Sequence, residues 1–394
     1  MCESTALILT GGGARAAYQV GVLQAVRELW GDRPGNPFPI LCGTSAGAIN
    51  AVTLAVFAED YGNAVDRLSA IWGNFHASQV YRSDGASVAR SAAVWASMLA
   101  MGWFLRRGPH SLLDNTPLRE LLDAHLDYAA IGRAIEAGVL RAVSVTCSGY
   151  ASGESLSFFQ AHPSVQPWRR ATRIGVATRI TTDHLLASSA IPFVFPAVKI
   201  HREFFGDGSL RQLAPISPAV QMGAERILVV GVGSLKHESR RVRSDHYPSL
   251  AQIAGHAMSS IFIDGLAVDL ERADAINRTL TQIPEPIRRS PGFAHRTIET
   301  LVIEPSERLD FIAARHFKAL PRAIRVMLRG VGAGGRSGST VLSYLLFEKP
   351  YTEDLIHLGY RDAMARRAEL AAFLRGEDSN LQADTQKNNL SCSV

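Results

Sequence analysis

The sequence predicts an α/β protein: a three-layer α/β/α sandwich with a mostly parallel central sheet and a helical C-terminal extension. Three observations carry this. Strand-like apolar runs alternate with stretches of helical periodicity over the first sixty residues, the order that parallel strands with crossover helices produce. Both of the first two runs end in glycine-rich turns. The composition, 47% hydrophobic and 20% charged over 394 residues, belongs to a chain that folds around a full core.

Thr5 to Thr10 is a short apolar strand, broken by Gly11-Gly12-Gly13. Tyr18 to Trp30 carries Val22, Leu23, Val26, Leu29 and Trp30 at helical spacing. Pro34 to Pro39 is a loop, Ile40 to Cys42 a second strand, Gly43 to Gly47 a sharp turn, and Ala48 to Phe57 a second apolar helix. Val88 to Leu105 reads as a helix. Its Ser91 to Leu105 part holds 15 residues without a charge, closed by Arg106-Arg107, short of the roughly 20 that a membrane span needs.

Asp114-Asn115-Thr116-Pro117 starts a helix that continues through Leu118 to Leu126, with proline in the first turn. Arg141 to Ser148 alternates as a strand does, and Ser155 to Phe159 is placed to pair with it. Asp183 to Ala190 is a helix ended by Pro192. Val198 to Gly206 is a strand region, and Arg226 to Val232 a buried strand. Beyond residue 250 the chain reads as helical apart from Thr300 to Ile303, with a terminal helix over Glu353 to Arg375. This gives a catalytic domain over 1–305, a helical extension over 306–375 and a polar tail over 376–394, expected to be disordered.

The charge balance, 41 basic against 36 acidic residues, gives +5. That suits an anionic surface and is too small to indicate nucleic acid. Cys2, Cys42, Cys147 and Cys392 show no CxxC and no metal-ligand spacing, so a disulfide scaffold is excluded and Cys42 and Cys147 read as buried thiols. The start, MCESTALILTGGG, is a strand and not a secretory signal. A cytoplasmic protein, peripheral at the membrane, is expected. Nothing in the sequence sets the oligomeric state.

Gly43-Thr44-Ser45-Ala46-Gly47 matches G-x-S-x-G between a strand and a helix. Such a turn pushes the serine hydroxyl clear of the backbone, and the helix start beside it favours negative charge. A nucleophilic serine also needs a base and donors for an oxyanion. Gly11 to Arg15 follows the preceding strand, so a right-handed crossover puts both loops at one sheet edge. Too few strands precede Ser45 for an α/β-hydrolase triad, and none of the twelve histidines sits in a motif. His184, His201, His237, His246 and His256 stay open as partners. Asp207, between Gly206 and Gly208 after an apolar strand, is the better candidate, although an Asp-Gly turn is common without any chemistry. A nucleotide site at Gly11 to Gly13 would want an acid at the end of the second strand; that strand ends in Cys42-Gly43-Thr44-Ser45 instead.

Four stretches together resemble the patatin-like lipid acyl hydrolases: Gly11 to Arg15, Gly43 to Gly47, Ala187-Ser188-Ser189-Ala190-Ile191-Pro192 with Phe195-Pro196, and Asp207-Gly208-Ser209. Tyr351 to Arg361 also resembles the end of bacterial members. Ala16 and Ser209 depart from the family pattern. The resemblance implies a metal-free Ser-Asp dyad without histidine. Ser45 would be the nucleophile and Asp207 the general base, with an oxyanion loop of Gly11, Gly12, Gly13 and Ala14 supported by Arg15. It implies hydrolysis of fatty-acyl esters of a membrane lipid or lysolipid through an acyl-serine. A catalytically inactive lipid-binding scaffold is the rival reading. Burial of Asp207, with Phe204 and Phe205 as an apolar wall, is expected to raise its pKa from about 3.9. Ile191, Phe193, Val194 and Phe195 are candidates for an acyl groove. Trp95, Met98 and Trp103 are candidates for a lid or interfacial helix, with a buried core helix as the alternative, and Trp168 with Arg169 and Arg170 for a lipid headgroup, with a solvated charged face as the alternative.

Overall fold

The computed structural model describes residues 5–85, 111–233, 249–288, 295–330 and 338–377, with positions 87, 93, 290, 293 and 332 between them. Its strands are β1 (Thr5–Leu9), β2 (Ile40–Thr44), β3 (Ala142–Gly149), β4 (Ser155–Ala161), β5 (Trp168–Arg169), β6 (Arg173–Ala177), β7 (Val198–Ile200), β8 (Glu203–Asp207), β9 (Arg226–Val230) and β10 (Glu299–Ile303). They form one sheet in the order β10-β9-β1-β2-β3-β4-β6-β5, with β8 paired to both β3 and β7. The run from β10 to β3 is parallel throughout.

The strands are apolar on both faces because both are covered. Leu7, Leu9, Leu41, Val143, Val145, Leu228 and Val230 point into one core, while Ala6, Ile8, Ile40, Cys42, Ala142, Ile227 and Val229 point into the other. Alternation along each strand thus serves two helical layers. Cys42 and Cys147 are buried free thiols.

The helices are α1 (Ala17–Trp30), α2 (Ala46–Val56), α3 (Tyr61–Trp72), α4 (Thr116–His125), α5 (Ala129–Glu136), α6 (Thr182–Ser188), α7 (Ser217–Gln221), α8 (Leu250–Thr281), α9 (Glu285–Arg288), α10 (Leu309–Arg315), α11 (Arg322–Gly330), α12 (Ser339–Leu345), α13 (Lys349–Ala365) and α14 (Arg367–Arg375). Residues 252–281 of α8 suit a membrane span by length and composition. The buried Asp269 accepts from Ile216 N at 3.0 Å, and Asn277 bonds both N and O of Ile298, so the helix is tied to α7 and to the approach to β10.

Several elements differ from the sequence reading. The expected terminal helix is two helices, separated at Arg366. The single strand region over 198–206 is a hairpin that turns at His201, where φ is 53°. α3, begun by the Asp60 carboxylate accepting from Asn63 N at 2.9 Å, was not anticipated, nor was α5. The apolar stretch 88–105 lies, apart from residue 93, outside the described residues, as does the tail beyond residue 377.

α13 crosses α1 at close range. A Cβ on Gly21 would lie 1.9 Å from Ile356 O, and one on Gly359 would lie 2.0 Å from Tyr18 O. Each helix therefore presents a glycine to the other's backbone. Gly359→Ala is expected to lower the Tm by several degrees, since overpacking of this kind costs about 1–3 kcal/mol. Gly132→Ala, mid-helix in α5 with its nearest atom at 3.6 Å, is expected to be neutral or stabilising in the same thermal melts.

Candidate active site

Ser45 is a one-residue junction. β2 runs through Gly43 and Thr44, and α2 begins at Ala46, so the whole turn falls on Ser45, with φ 55° and ψ −131°. A non-glycine residue there stores about 1–3 kcal/mol of strain. The flanking glycines permit the tight passage: a Cβ on Gly43 would lie 2.3 Å from Ala48 Cα, and one on Gly47 would lie 2.3 Å from Leu9 O. α6 holds the strained backbone. Ser45 N–H donates to Ser188 Oγ at 2.8 Å, and Ser188 Oγ–H donates to Thr146 O at 2.6 Å.

Asp207 reaches Ser45 through β3. The β2 register ends at Thr44 opposite Thr146, and β8 takes up the same edge at Asp207 opposite Cys147. Two strands running in opposite directions therefore finish end to end along one edge of β3. Ser45 Oγ–H donates to Asp207 Oδ2 at 2.6 Å, while Ser209 N–H donates to Oδ1 at 2.9 Å. Asp207 N–H donates to Ala190 O at 2.9 Å. Gly208 is required because a Cβ there would lie 2.0 Å from Thr146 O. Burial pushes the Asp207 carboxyl up to about 6, against the opposing pull of its bonds to Ser45 and Ser209. Phe205 is buried against Phe158, with ring centres 5.3 Å apart, whereas Phe204 is about half exposed; only the first contributes to an apolar wall.

None of the described histidines bonds the Ser45 hydroxyl. His184 is engaged with Thr181, and its burial lowers its pKa to about 4. His201 occupies the hairpin turn and His256 lies on α8; His237 and His246 lie outside the described residues.

The Gly11 to Arg15 loop follows β1 beside this pair. Gly13 has φ 55°, and a Cβ on it would lie 2.3 Å from Tyr344 O of α12; a Cβ on Gly12 would lie 2.3 Å from Val232 Cγ2. The Arg15 side chain is buried. Its Nε–H donates to Ser343 Oγ at 2.8 Å and its Nη1–H to Tyr344 Oη at 3.3 Å, with the guanidinium 4.1 Å above the Tyr344 ring. Its partners in the structure are thus on α12. A buried chain of amides adds a second brace. Gln19 donates to Thr10 O at 2.8 Å, Asn50 to Gln19 Oε1 at 3.0 Å, and Trp72 Nε1 to Asn50 Oδ1 at 2.8 Å.

An apolar cavity of about 60 Å³ opens at Ser45. Gly13, Ala46, Ser189, Ile191 and Phe195 line it near the serine. Ile49 and Thr53 continue it along α2, about 6 and 12 Å further by helical rise. Trp72, Phe75 and Phe347, with centroids 5.0–6.3 Å apart, form an aromatic wall. Phe193 is 71% exposed and does not line this cavity, which corrects its placement among the groove residues. Trp168, by contrast, is buried and stacked on Phe159 at 4.9 Å, so it is unavailable to a headgroup; Arg169 pairs with Glu154 at 2.9 Å. Trp95, Met98 and Trp103 lie outside the described residues. No group of three or more metal-ligating side chains occurs among the described residues.

Fold and site together define an α/β protein with a hydrogen-bonded serine–aspartate pair at the carboxyl edge of its sheet. A family model described as patatin-like phospholipase matches residues 7–220, more than half of the chain. The chain belongs to that family. It is 27% identical over 211 residues to the cGAMP-activated phospholipase of Pseudomonas aeruginosa, covering 53% of this chain and 53% of that protein. Over 79 residues it is 39% identical to Lysophospholipase nte1 of Aspergillus terreus, covering 18% of this chain and 5% of that protein. The match spans about half the length of the first relative and far less of the second. Among solved structures, VipD from Legionella pneumophila aligns with 90% of this chain and 67% of its own, at 12% identity and a TM-score of 0.35.

Two stability predictions follow from this geometry. Ser45→Gly is expected to melt above Ser45→Ala, since both lack the hydroxyl and only glycine relieves the positive φ. Because the folded-state pKa of Asp207 is raised, the folded protein holds that proton more tightly than the unfolded chain. Keeping the carboxylate ionised therefore costs stability above pH 6, and the cost vanishes below about pH 4. Asp207→Asn is expected to raise the Tm at pH 8, with the gap to wild type closing as the pH falls towards 4.

Proposed function

We propose that this protein is a serine lipid acyl hydrolase of the phospholipase A or lysophospholipase type. The observation that carries the reading is the 2.6 Å hydrogen bond from the buried Ser45 hydroxyl to Asp207, at the mouth of an apolar cavity. Family membership and the phospholipase names of both relatives support the substrate class.

In this reading the acyl chain occupies the cavity along α2, between Ile191 and Phe195 and the aromatic wall. Asp207 accepts the Ser45 proton as Oγ attacks the ester carbonyl. Negative charge forms on the carbonyl oxygen beside the N–H groups of Gly12, Gly13 and Ala14, and beside that of Ala46, the residue after the nucleophile. Arg15 acts as a positioning residue, supporting the loop from α12. Collapse returns the proton to the leaving alkoxide and leaves an acyl-serine. Water then attacks that ester, Asp207 taking its proton, and the fatty acid departs with Ser45 restored.

A carboxylate with a pKa of about 6 is a far better base at neutral pH than an exposed aspartate. In this reading the protein acts as a peripheral protein at a membrane surface, and a cytoplasmic location is part of the proposal. The same reading assigns residues 1–305 to the catalytic domain and 306–375 to an extension packed on it, supported by the close crossing of α1 and α13.

The test is hydrolysis of a monoacyl phospholipid and a short acyl ester. Wild type is expected to turn both over, with kcat/KM falling about tenfold per pH unit below pH 6. Ser45→Ala and Asp207→Asn are each expected to lose at least about a thousandfold. A folded wild type without turnover, even with vesicles present, would overturn the proposal in favour of a lipid-binding protein.

A further inference from the structure

Ala187-Ser188-Ser189-Ala190 places two serines at the end of α6. The first is accounted for, because Ser188 holds Ser45 N–H and donates to Thr146 O. The second is not. Ser189 is 8% exposed, its Oγ has no hydrogen-bond partner, and it lines the cavity that contains Ser45.

The other polar side chains on that wall are occupied. Ser45 donates to Asp207, Thr53 donates to Ile49 O at 2.8 Å, and His125 Nδ1 lies 2.9 Å from Leu121 O. A buried hydroxyl without a partner has given up water for nothing, and such exceptions call for a specific explanation. Its position supplies one. Ser188 holds the Ser45 backbone, and Ala190 O accepts from Asp207 N at 2.9 Å. Ser189 N–H itself donates to Leu185 O at 3.0 Å. The hydroxyl is thus carried on a backbone fixed to both members of the pair.

We propose that Ser189 is a further catalytic residue: its hydroxyl donates a hydrogen bond to an ester oxygen of the substrate bound at Ser45. The inference rests on the acyl-hydrolase reading above. No proton is transferred. The bond is made when an ester enters the cavity and tightens as charge builds on the ester oxygens, so it acts on kcat more than on KM.

The experiment compares wild type, Ser189→Ala, Ser189→Cys and Ser188→Ala on a short acyl ester, with thermal melts of each. Ser189→Ala is expected to lose about a hundredfold in kcat with little change in KM. Its Tm should equal or exceed that of wild type, because a partnerless hydroxyl has been removed. Ser189→Cys, of similar shape with a weaker donor, should fall between. Ser188→Ala should melt lower, having lost two bonds. If an active wild type and Ser189→Ala share the same kcat, the proposal is overturned and the hydroxyl is merely tolerated. A loss in Ser189→Ala that comes with a fall in Tm like that of Ser188→Ala overturns it in favour of a structural role. An inactive wild type overturns the acyl-hydrolase reading and this inference with it.

Discussion

β3 is the constraint on which the rest of the site depends. β2 reaches it in parallel and stops at Thr44; β8 reaches the same edge antiparallel and stops at Asp207, one residue further along. Hydrogen-bond register is indifferent to side-chain chemistry, yet here it brings a serine from residue 45 and an aspartate from residue 207 to 2.6 Å. The glycines around the pair follow from the same junction. Gly43, Gly47 and Gly208 each occupy a place where a Cβ would meet backbone. Three separate segments are packed into the space of one turn.

Stability and the proposed chemistry pull against each other at this junction. Ser45 sits in a strained conformation, Asp207 is a buried acid, and Ser189 carries a hydroxyl without a partner. Each lowers stability, and each is what a nucleophile, a base and a donor awaiting substrate would need. The surroundings hold them in place. Ser188 at the end of α6 holds Ser45 and Ala190 just beyond it holds Asp207, the Gln19–Asn50–Trp72 chain links the glycine loop to the cavity wall, and Arg15 fastens that loop to α12. α12 lies outside the span matched by the family model. The C-terminal helices are therefore part of the support beneath the loop, and the crossing at Gly21 and Gly359 keeps α13 against α1.

Much of this was legible in the sequence because it is local. A glycine-rich turn between an apolar strand and a helix singles out Ser45, whereas an acid between glycines is a common turn and singles out Asp207 only together with the other three stretches of the resemblance. What was not legible depends on pairing and packing. The role of Ser188 appears only when α6 is laid against the β2–α2 junction. Arg15 reads from the sequence as a support for the loop, but that its guanidinium lies over Tyr344 appears only in the fold. Phe193 and Trp168 were both candidates to meet lipid, and the structure leaves the first largely exposed and off the cavity lining and buries the second. α3, by contrast, carries a legible signal that went unread: Asp60 is an N-cap, and Tyr61, Val65, Leu68 and Trp72 recur at helical spacing.

The account stands or falls on Ser45 being the atom that acquires the acyl group under the control of Asp207. The most direct measurement is to trap that adduct with a fluorophosphonate and locate it by mass spectrometry of the digested protein. The account predicts one added phosphonyl group, on the peptide containing Ser45, at a rate that falls steeply in Asp207→Asn although that variant remains folded. An adduct on any other residue, or equal labelling of Ser45 with and without the Asp207 carboxylate, would contradict it.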